Sequence, residues 1–174
     1  MHKENLRLVK DIYRYDGLRT DRTMAAHGLE VRLPFADIDF VDMILSLDPS
    51  LRMPQDGIEK FLFRKSFDTT DLLPQDVLWR SKEALSDGAS GKQKSWYVIL
   101  QEHIDTIVSD EEFLSSKGVF VHCPPLTKEA YYYRKVFARY FGDTHSGVIP
   151  YFWLPKRCGD VTDPSARVLT DVYI

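Results

Sequence analysis

Asp16-Gly-Leu-Arg-Thr-Asp-Arg-Thr-Met-Ala-Ala-His-Gly-Leu-Glu-Val-Arg-Leu-Pro-Phe-Ala-Asp37 reads as a helix, a sharp corner and an extended arm. Leu18, Arg22, Ala25 and Ala26 fall at helical spacing, and Gly28 is placed to end the helix in a left-handed conformation. Pro34 biases Leu33 toward extended geometry, so Arg32-Leu33-Pro34-Phe35 cannot continue a helix. Asp37 is set to cap whatever follows. The charge is the unusual feature: Asp16, Arg19, Asp21, Arg22, Glu30 and Arg32 crowd a segment that otherwise favours burial. Arginines at a packed corner are a common way to bind carboxylate or phosphate. A salt-bridged helix face is the plainer reading of such a cluster taken alone.

On the N-terminal side, Leu6, Val9, Ile12 and Tyr13 form one apolar face and predict an amphipathic helix from Glu4 to about Tyr15. It runs into the Asp16–Ala26 helix almost without a linker, so the two are either continuous or kinked at Gly17. Beyond Asp37, Ile38, Val41, Ile44 and Leu45 repeat at three and four, until Asp48-Pro49 stops the pattern. Asp56-Gly57 is a turn. Ile58, Phe61, Leu62 and Phe67 predict a further helix with Lys60, Arg64 and Lys65 interleaved, and Pro74–Trp79 a short helical turn. Arg80 to Gln93 is a polar loop, and loops on a helical scaffold often carry function. Helix returns over Ser95–Val108 through Trp96, Leu100, His103, Ile104 and Ile107. Ser109-Asp-Glu-Glu112 has the composition of a helix start. Thr127 opens an aromatic helix whose Tyr133, Val136, Phe137, Tyr140 and Phe141 are expected to face a core. Only Gly118–His122 alternates with period two. The expectation is a mainly α chain, read as one domain over 1–174, with a helical core over 4–141 and an irregular tail over 142–174.

The chain has 174 residues, 44% of them hydrophobic, 13% aromatic and 28% charged, a composition that suits a soluble globular domain with a real core. A net charge of −3 argues against a nucleic-acid partner, and a helix-turn-helix DNA binder is disfavoured on the same ground. No apolar run is long enough for a bilayer, so no membrane is expected. The first residues carry no signal-peptide core. Cys123 and Cys158 make no disulfide framework, which points to a reducing compartment and the cytoplasm.

The second informative stretch is Trp79-Arg-Ser-Lys-Glu-Ala-Leu-Ser-Asp-Gly-Ala89. It sets Lys82 beside Arg80 in a Gly- and Ser-rich loop, a mobile cation suited to a polyphosphate; a solvated surface lysine is the commoner case. Together the two stretches resemble the synthetase domain of glutamine-hydrolysing asparagine synthetases. There the first reads roughly Asp-x-x-Arg-x-x-(Arg/Lys)-x-x-Met-(Ala/Ser)-x-x-Gly-(Val/Leu)-Glu-x-Arg-x-Pro-Phe-Leu-Asp, with Ala36 here in place of the family's Leu. The second reads Arg-x-Lys-Glu-x-(Phe/Leu)-Ser-Asp-Gly-(Val/Ala). Leu126–Arg134, Trp153–Lys156 and Asp163–Arg167 are similar to further family segments, so the resemblance runs from near Leu6 to about Val168.

The resemblance implies a chemistry. Aspartate and ATP give β-aspartyl-AMP and pyrophosphate, and ammonia from glutamine then converts the mixed anhydride to asparagine and AMP. Such a reaction needs charge neutralisation on the pyrophosphate, which preorganised Arg and Lys side chains with Mg²⁺ supply. By that match Lys82 and Arg19 are the catalytic candidates. Arg80 and Glu83 support the loop, and Asp16 either orients Arg19 or touches the ligand. Arg32 either binds an anionic group or braces the corner, with the structural role the stronger expectation.

The resemblance further implies the helical C-terminal part of an adenine-nucleotide α-hydrolase-like, ATP-pyrophosphatase-type synthetase domain lacking most of its parallel sheet. The family's Ser-Gly-Gly-x-Asp-Ser nucleotide loop, its acidic Ser-Gly-Glu-Gly-x-Asp-Glu segment and its glutaminase domain are not in this sequence. The chain alone is therefore expected to be inactive. It is also expected to self-associate, or to bind a polypeptide carrying the missing parts, through the apolar sides of the Leu6–Tyr13 helix and the Met24–Phe35 corner. The alternative is a non-catalytic helical module or remnant. Related β-lactam-forming amidoligases share the architecture, so a substrate other than aspartate stays open. Gly88-Ala-Ser-Gly-Lys92 has the wrong glycine spacing for a phosphate loop. His122, Cys123, His145 and Cys158 match no common zinc spacing, so no metal site is expected.

Overall fold

The computed structural model describes residues 1–82, 94–154 and 160–163. Glu83, most of the Arg80–Gln93 loop and Cys158 lie outside the described residues. The regular structure among the described residues is helical, with no β-strand. The period-two run at Gly118–His122 is turn and irregular backbone, because no second strand is present to take its main-chain bonds. No helix among the described residues is long and apolar enough to cross a membrane. The chain divides into two compact units, Met1–Lys82 and Glu83–Ile174.

In the first unit α1 spans His2–Asp11 and passes through a 3-10 turn, Ile12–Arg14, into α2, Asp16–Ala25. The break falls at Tyr15 (φ −120°, ψ −95°), two residues before the expected kink at Gly17. Gly17 has its own reason to be glycine: a Cβ there would stand 2.9 Å from the Ile12 carbonyl oxygen, a backbone atom that cannot step aside. Gly28 adopts φ +68° just after α2, the left-handed turn expected of it.

Asp37 caps α3 (Ile38–Ser46), accepting from the backbone N–H of Asp39 at 3.0 Å and of Phe40 at 3.2 Å. Asp48 caps the 3-10 turn Pro49–Arg52 in the same way, through Ser50. The helix expected from Ile58 shortens to α4, Phe61–Lys65, because Lys60 sits in a left-handed conformation at φ 58°. Helix α5, Gln75–Leu78, follows Pro74. Phe35, Phe40, Phe63 and Phe67 pack in a chain with ring centroids 5.3–6.1 Å apart, at the separations aromatic pairs favour.

Helix α1 is turned inside out. Glu4, Arg7 and Asp11 recur at three and four on one side, while Leu6, Val9 and Tyr13 lie on the other. Arg7 pairs with Glu4 at 2.6 Å and with Asp11 at 3.7 Å. That charged seam is the half-buried side, whereas Leu6, Val9, Ile12 and Tyr13 are 44–60% exposed. His2 Nδ1 meets Arg52 Nη2 at 2.9 Å and ties the start of α1 to the Pro49–Arg52 turn. At the corner Leu29, Leu33 and Phe35 are exposed as well.

The second unit holds α6 (Trp96–Ile107), α7 (Asp110–Ser115) and α8 (Lys128–Phe141), followed by a 3-10 stretch, Asp143–Val148. Ser95, Ser109 and Thr127 are the N-caps, each accepting from the N–H three residues on. Ile104, Val108, Phe120 and Tyr131 form the core, with Phe113, Tyr132 and Ala138 packed against it. The expected inward stripe on α8 is corrected: Tyr133, Val136, Tyr140 and Phe141 are exposed, and of that set only Phe137 is half-buried. The helix carries aromatic residues all round, and the side that packs is the one whose polar groups find partners. Tyr131 Oη donates to Glu112 at 3.0 Å, and the Arg134 guanidinium lies 5.1 Å from the Phe120 ring. Buried Glu129 accepts from Gln101 of α6.

Candidate functional site

The first unit contains every described residue for which the sequence predicts a role in the chemistry. Asp16 opens α2, and Arg19 stands one turn later. Arg19 Nη2 donates to Asp16 Oδ1 at 2.6 Å, with both side chains mainly in solvent. The bond sets the Asp16 carboxylate against the Arg19 guanidinium. A pair this exposed contributes little to stability, so the corner's fold does not rest on it.

Arg32 donates to Glu30 Oε2 at 3.1 Å, also in solvent. A cavity of about 410 Å³ lies beneath the corner, lined by Gly17, Thr20, Asp21, Leu29, Glu30 and Leu33 among others. Arg19, Arg22 and Arg32 do not line it. Its charged lining is acidic, so this cavity is no pocket for a phosphate.

Lys82 ends the unit as an exposed side chain. The backbone before it is tightly held. Arg64 Nη1 donates to the carbonyls of Leu78 at 2.6 Å and Arg80 at 2.9 Å, and its Nε to that of Glu59 at 3.0 Å. Trp79 Nε1 donates to Asp68 Oδ1 at 3.1 Å, and its ring lies 5.5 Å from Phe61. Leu78 is the one buried hydrophobic residue among those described in this unit. The sequence singled out Arg80 and Lys82 but not Arg64 or Asp68. One signal was available: a tryptophan beside a packed helix needs an acceptor for its N–H.

A second cavity, about 560 Å³ and mainly apolar, lies between α3, α4 and the Pro49–Arg52 turn, with Phe40, Ile44 and Phe63 in its wall and Arg52 and Lys60 beside them. Among the described residues no three His, Cys, Asp or Glu side chains converge as metal ligands. His122 and His145 each bond a backbone carbonyl, of Ile149 at 2.7 Å and Phe141 at 2.6 Å.

A family model for asparagine synthase matches residues 1–154. The chain belongs to the asparagine synthase family. Its relatives include the glutamine-hydrolysing asparagine synthetase of Gallus gallus, 48% identical over 167 residues, which are 96% of this chain and 29% of that protein. The enzymes of the same name from Cricetulus griseus and Homo sapiens are 46% and 45% identical over 168 residues, 97% of this chain and 30% of each. The chain thus spans less than a third of the length of these curated relatives.

In the second unit of the chain a titrating cluster ties α7 to α8. Lys135 donates to Glu112 at 2.6 Å. That bond first, and the Tyr131 bond next, hold the Glu112 carboxyl below the ordinary glutamate range. The unfolded chain therefore takes up this proton at higher pH than the fold does. Glu112 supports the fold fully above its unfolded pKa of about 4.3, and the support is lost as pH falls through the lower folded value. Denaturant midpoints measured from pH 6 down to 3 are expected to fall for the native chain, and Glu112→Gln to fall less steeply. Equal slopes for the two would remove Glu112 from the acid response.

Proposed function

We propose that this chain is the helical C-terminal section of an asparagine synthetase, part of an adenine-nucleotide α-hydrolase-like synthetase domain. It contributes Arg19 and Lys82 to ATP-dependent amidation of aspartate in the cytoplasm. A β-carboxylate oxygen of aspartate attacks the α-phosphorus of ATP, and pyrophosphate leaves with the electron pair of the broken P–O bond. Ammonia then attacks the acyl carbon, AMP departs, and asparagine remains after loss of a proton. The observation that carries this reading is the match to glutamine-hydrolysing asparagine synthetases along 96–97% of the chain.

Within that reaction Lys82 and Arg19 meet the charge that grows on the leaving pyrophosphate, where fixed cations are most effective. Asp16 orients Arg19 on α2 through their 2.6 Å bond. Arg80 precedes the loop with its carbonyl held by Arg64, Arg32 pairs with Glu30 in solvent at the corner, and Glu83, which the family match also points to, lies outside the described residues. No three potential metal ligands converge among the described residues; magnesium, which is held largely by substrate phosphates, would add to the charge neutralisation that Arg19 and Lys82 supply.

The chain by itself is expected to form no AMP from ATP and aspartate above background. Mixed with a polypeptide supplying the Ser-Gly-Gly-x-Asp-Ser loop and the glutaminase part, it is expected to give aspartate-dependent AMP and pyrophosphate in equal amounts. Aspartate-dependent turnover by the chain alone would refute the assignment of the missing parts. The outward apolar side of α1 favours a second reading, a non-catalytic interaction module, which predicts binding of that polypeptide and no AMP.

A further inference from the structure

Lys82 follows α5 by four residues, and the backbone from Trp79 to Lys82 lies outside any helix or strand. The Trp79 and Arg80 N–H groups bond back to the Gln75 and Val77 carbonyls, and a guanidinium and a carboxylate add to that hold. Arg64 Nη1 bridges the carbonyls on either side of Trp79, those of Leu78 and Arg80, at 2.6 and 2.9 Å. Arg64 Nε is fixed in turn by the Glu59 carbonyl at 3.0 Å. The Trp79 indole between the two gripped carbonyls is held through its N–H by Asp68, whose other oxygen takes Lys65 Nζ at 2.6 Å.

All three Arg64 acceptors are main-chain oxygens. A planar guanidinium with five donors in a fixed fork can hold several carbonyls at set angles, and a lysine ammonium cannot reproduce that geometry. These bonds are charge-assisted and therefore among the stronger ones available to a surface segment. They fix the chain path two residues before Lys82.

We propose that Arg64 is a positioning residue for Lys82, setting the point from which the lysine reaches phosphate oxygens. This deepens the proposed synthetase function and rests on its reading of Lys82. Arg64 touches no substrate in this role and acts only through the backbone it grips.

The test uses the full chain with two readouts. Trypsin cleavage after Arg80 and after Lys82 reports local opening. Acetylation of Lys82 in the chain mixed with the complementing polypeptide, with and without inorganic pyrophosphate, reports phosphate contact. Arg64→Met is expected to speed both cleavages by about tenfold or more, since loss of one charge-assisted bond already shifts a local opening by that factor. It is also expected to weaken the shielding of Lys82 by pyrophosphate at unchanged helix content. Arg64→Lys should restore part of both, and it carries the test alone if Arg64→Met fails to fold.

Unchanged cleavage, with pyrophosphate still shielding Lys82 in the native chain, would overturn the grip and leave the reading of Lys82 standing. If pyrophosphate does not shield Lys82 in the native chain mixed with that polypeptide, that reading fails and takes the proposal with it. Faster cleavage with undiminished shielding would make Arg64 a fold residue only, which also overturns the proposal.

Discussion

Lys82→Ala, assayed with the polypeptide that restores synthesis, is expected to lower turnover by about 10²–10³-fold, the usual cost of removing one fixed charge-stabilising group from a transition state. The loss should fall mainly on kcat, because the charge that Lys82 meets grows as pyrophosphate departs. Folding should hardly change. The side chain is exposed, and surface substitutions away from caps and buried networks stay within about 0.5 kcal/mol. A matched pair of measurements, AMP release and thermal unfolding on the same preparation, separates the two effects. Native turnover in the alanine variant would strike Lys82 from the mechanism. Arg19→Ala belongs beside it as a smaller loss, since Asp16 rather than buried packing fixes its direction.

The largest effect on stability is expected at Ile104. Its side chain is 2% exposed, in a core shared with Val108, Phe120 and Tyr131. Truncation to alanine removes buried methyl groups and leaves a void that rigid neighbours fill only in part, at a cost of about 2–5 kcal/mol. Against a total stability of roughly 5–15 kcal/mol for an ordinary domain, that is a large fraction. Ile107, three residues on and 45% exposed, is the control. Ile107→Ala should change the unfolding free energy, read from guanidinium midpoints at unchanged slope, by no more than about 0.5 kcal/mol. Equal losses at the two positions would mean that α6 does not face its core as described.

The contrast between Ile104 and Ile107 also marks how far the fold is legible in the sequence. Both isoleucines lie in the same three-four pattern, and spacing alone assigns them to one face. Element starts are easier, because a cap is a local event: Asp37, Ser95, Ser109 and Thr127 each close a hydrogen bond within three residues of themselves. Ends are harder. The helix expected from Ile58 is cut short by the left-handed Lys60, a conformation that lysine does not advertise. Faces are hardest on α8, where aromatic residues point in every direction and the choice falls to the hydroxyl of Tyr131 and its bond to Glu112.

The candidate site divides along the same line. Asp16, Arg19, Arg80 and Lys82 are visible as residue types in an ordered pattern. Arg64 is not, because every group it holds is a main-chain carbonyl, and a carbonyl is the same whichever residue carries it. Asp68 is hidden for a related reason: its partner Trp79 lies eleven residues away across a turn.

The inverted helix α1 has a consequence for how the chain meets salt. Ions shorten the reach of the attraction between Arg7 and its two carboxylates, though less so for a half-buried seam than for one in open water. Sulfate and similar salts act in the opposite sense on Leu6, Val9, Ile12 and Tyr13, raising the cost of keeping those side chains wet. One helix thus carries two opposed responses to a single variable. As such a salt rises, the ion pairs along the half-buried side of α1 slacken slightly, while the side that faces solvent is driven harder toward any apolar surface within reach.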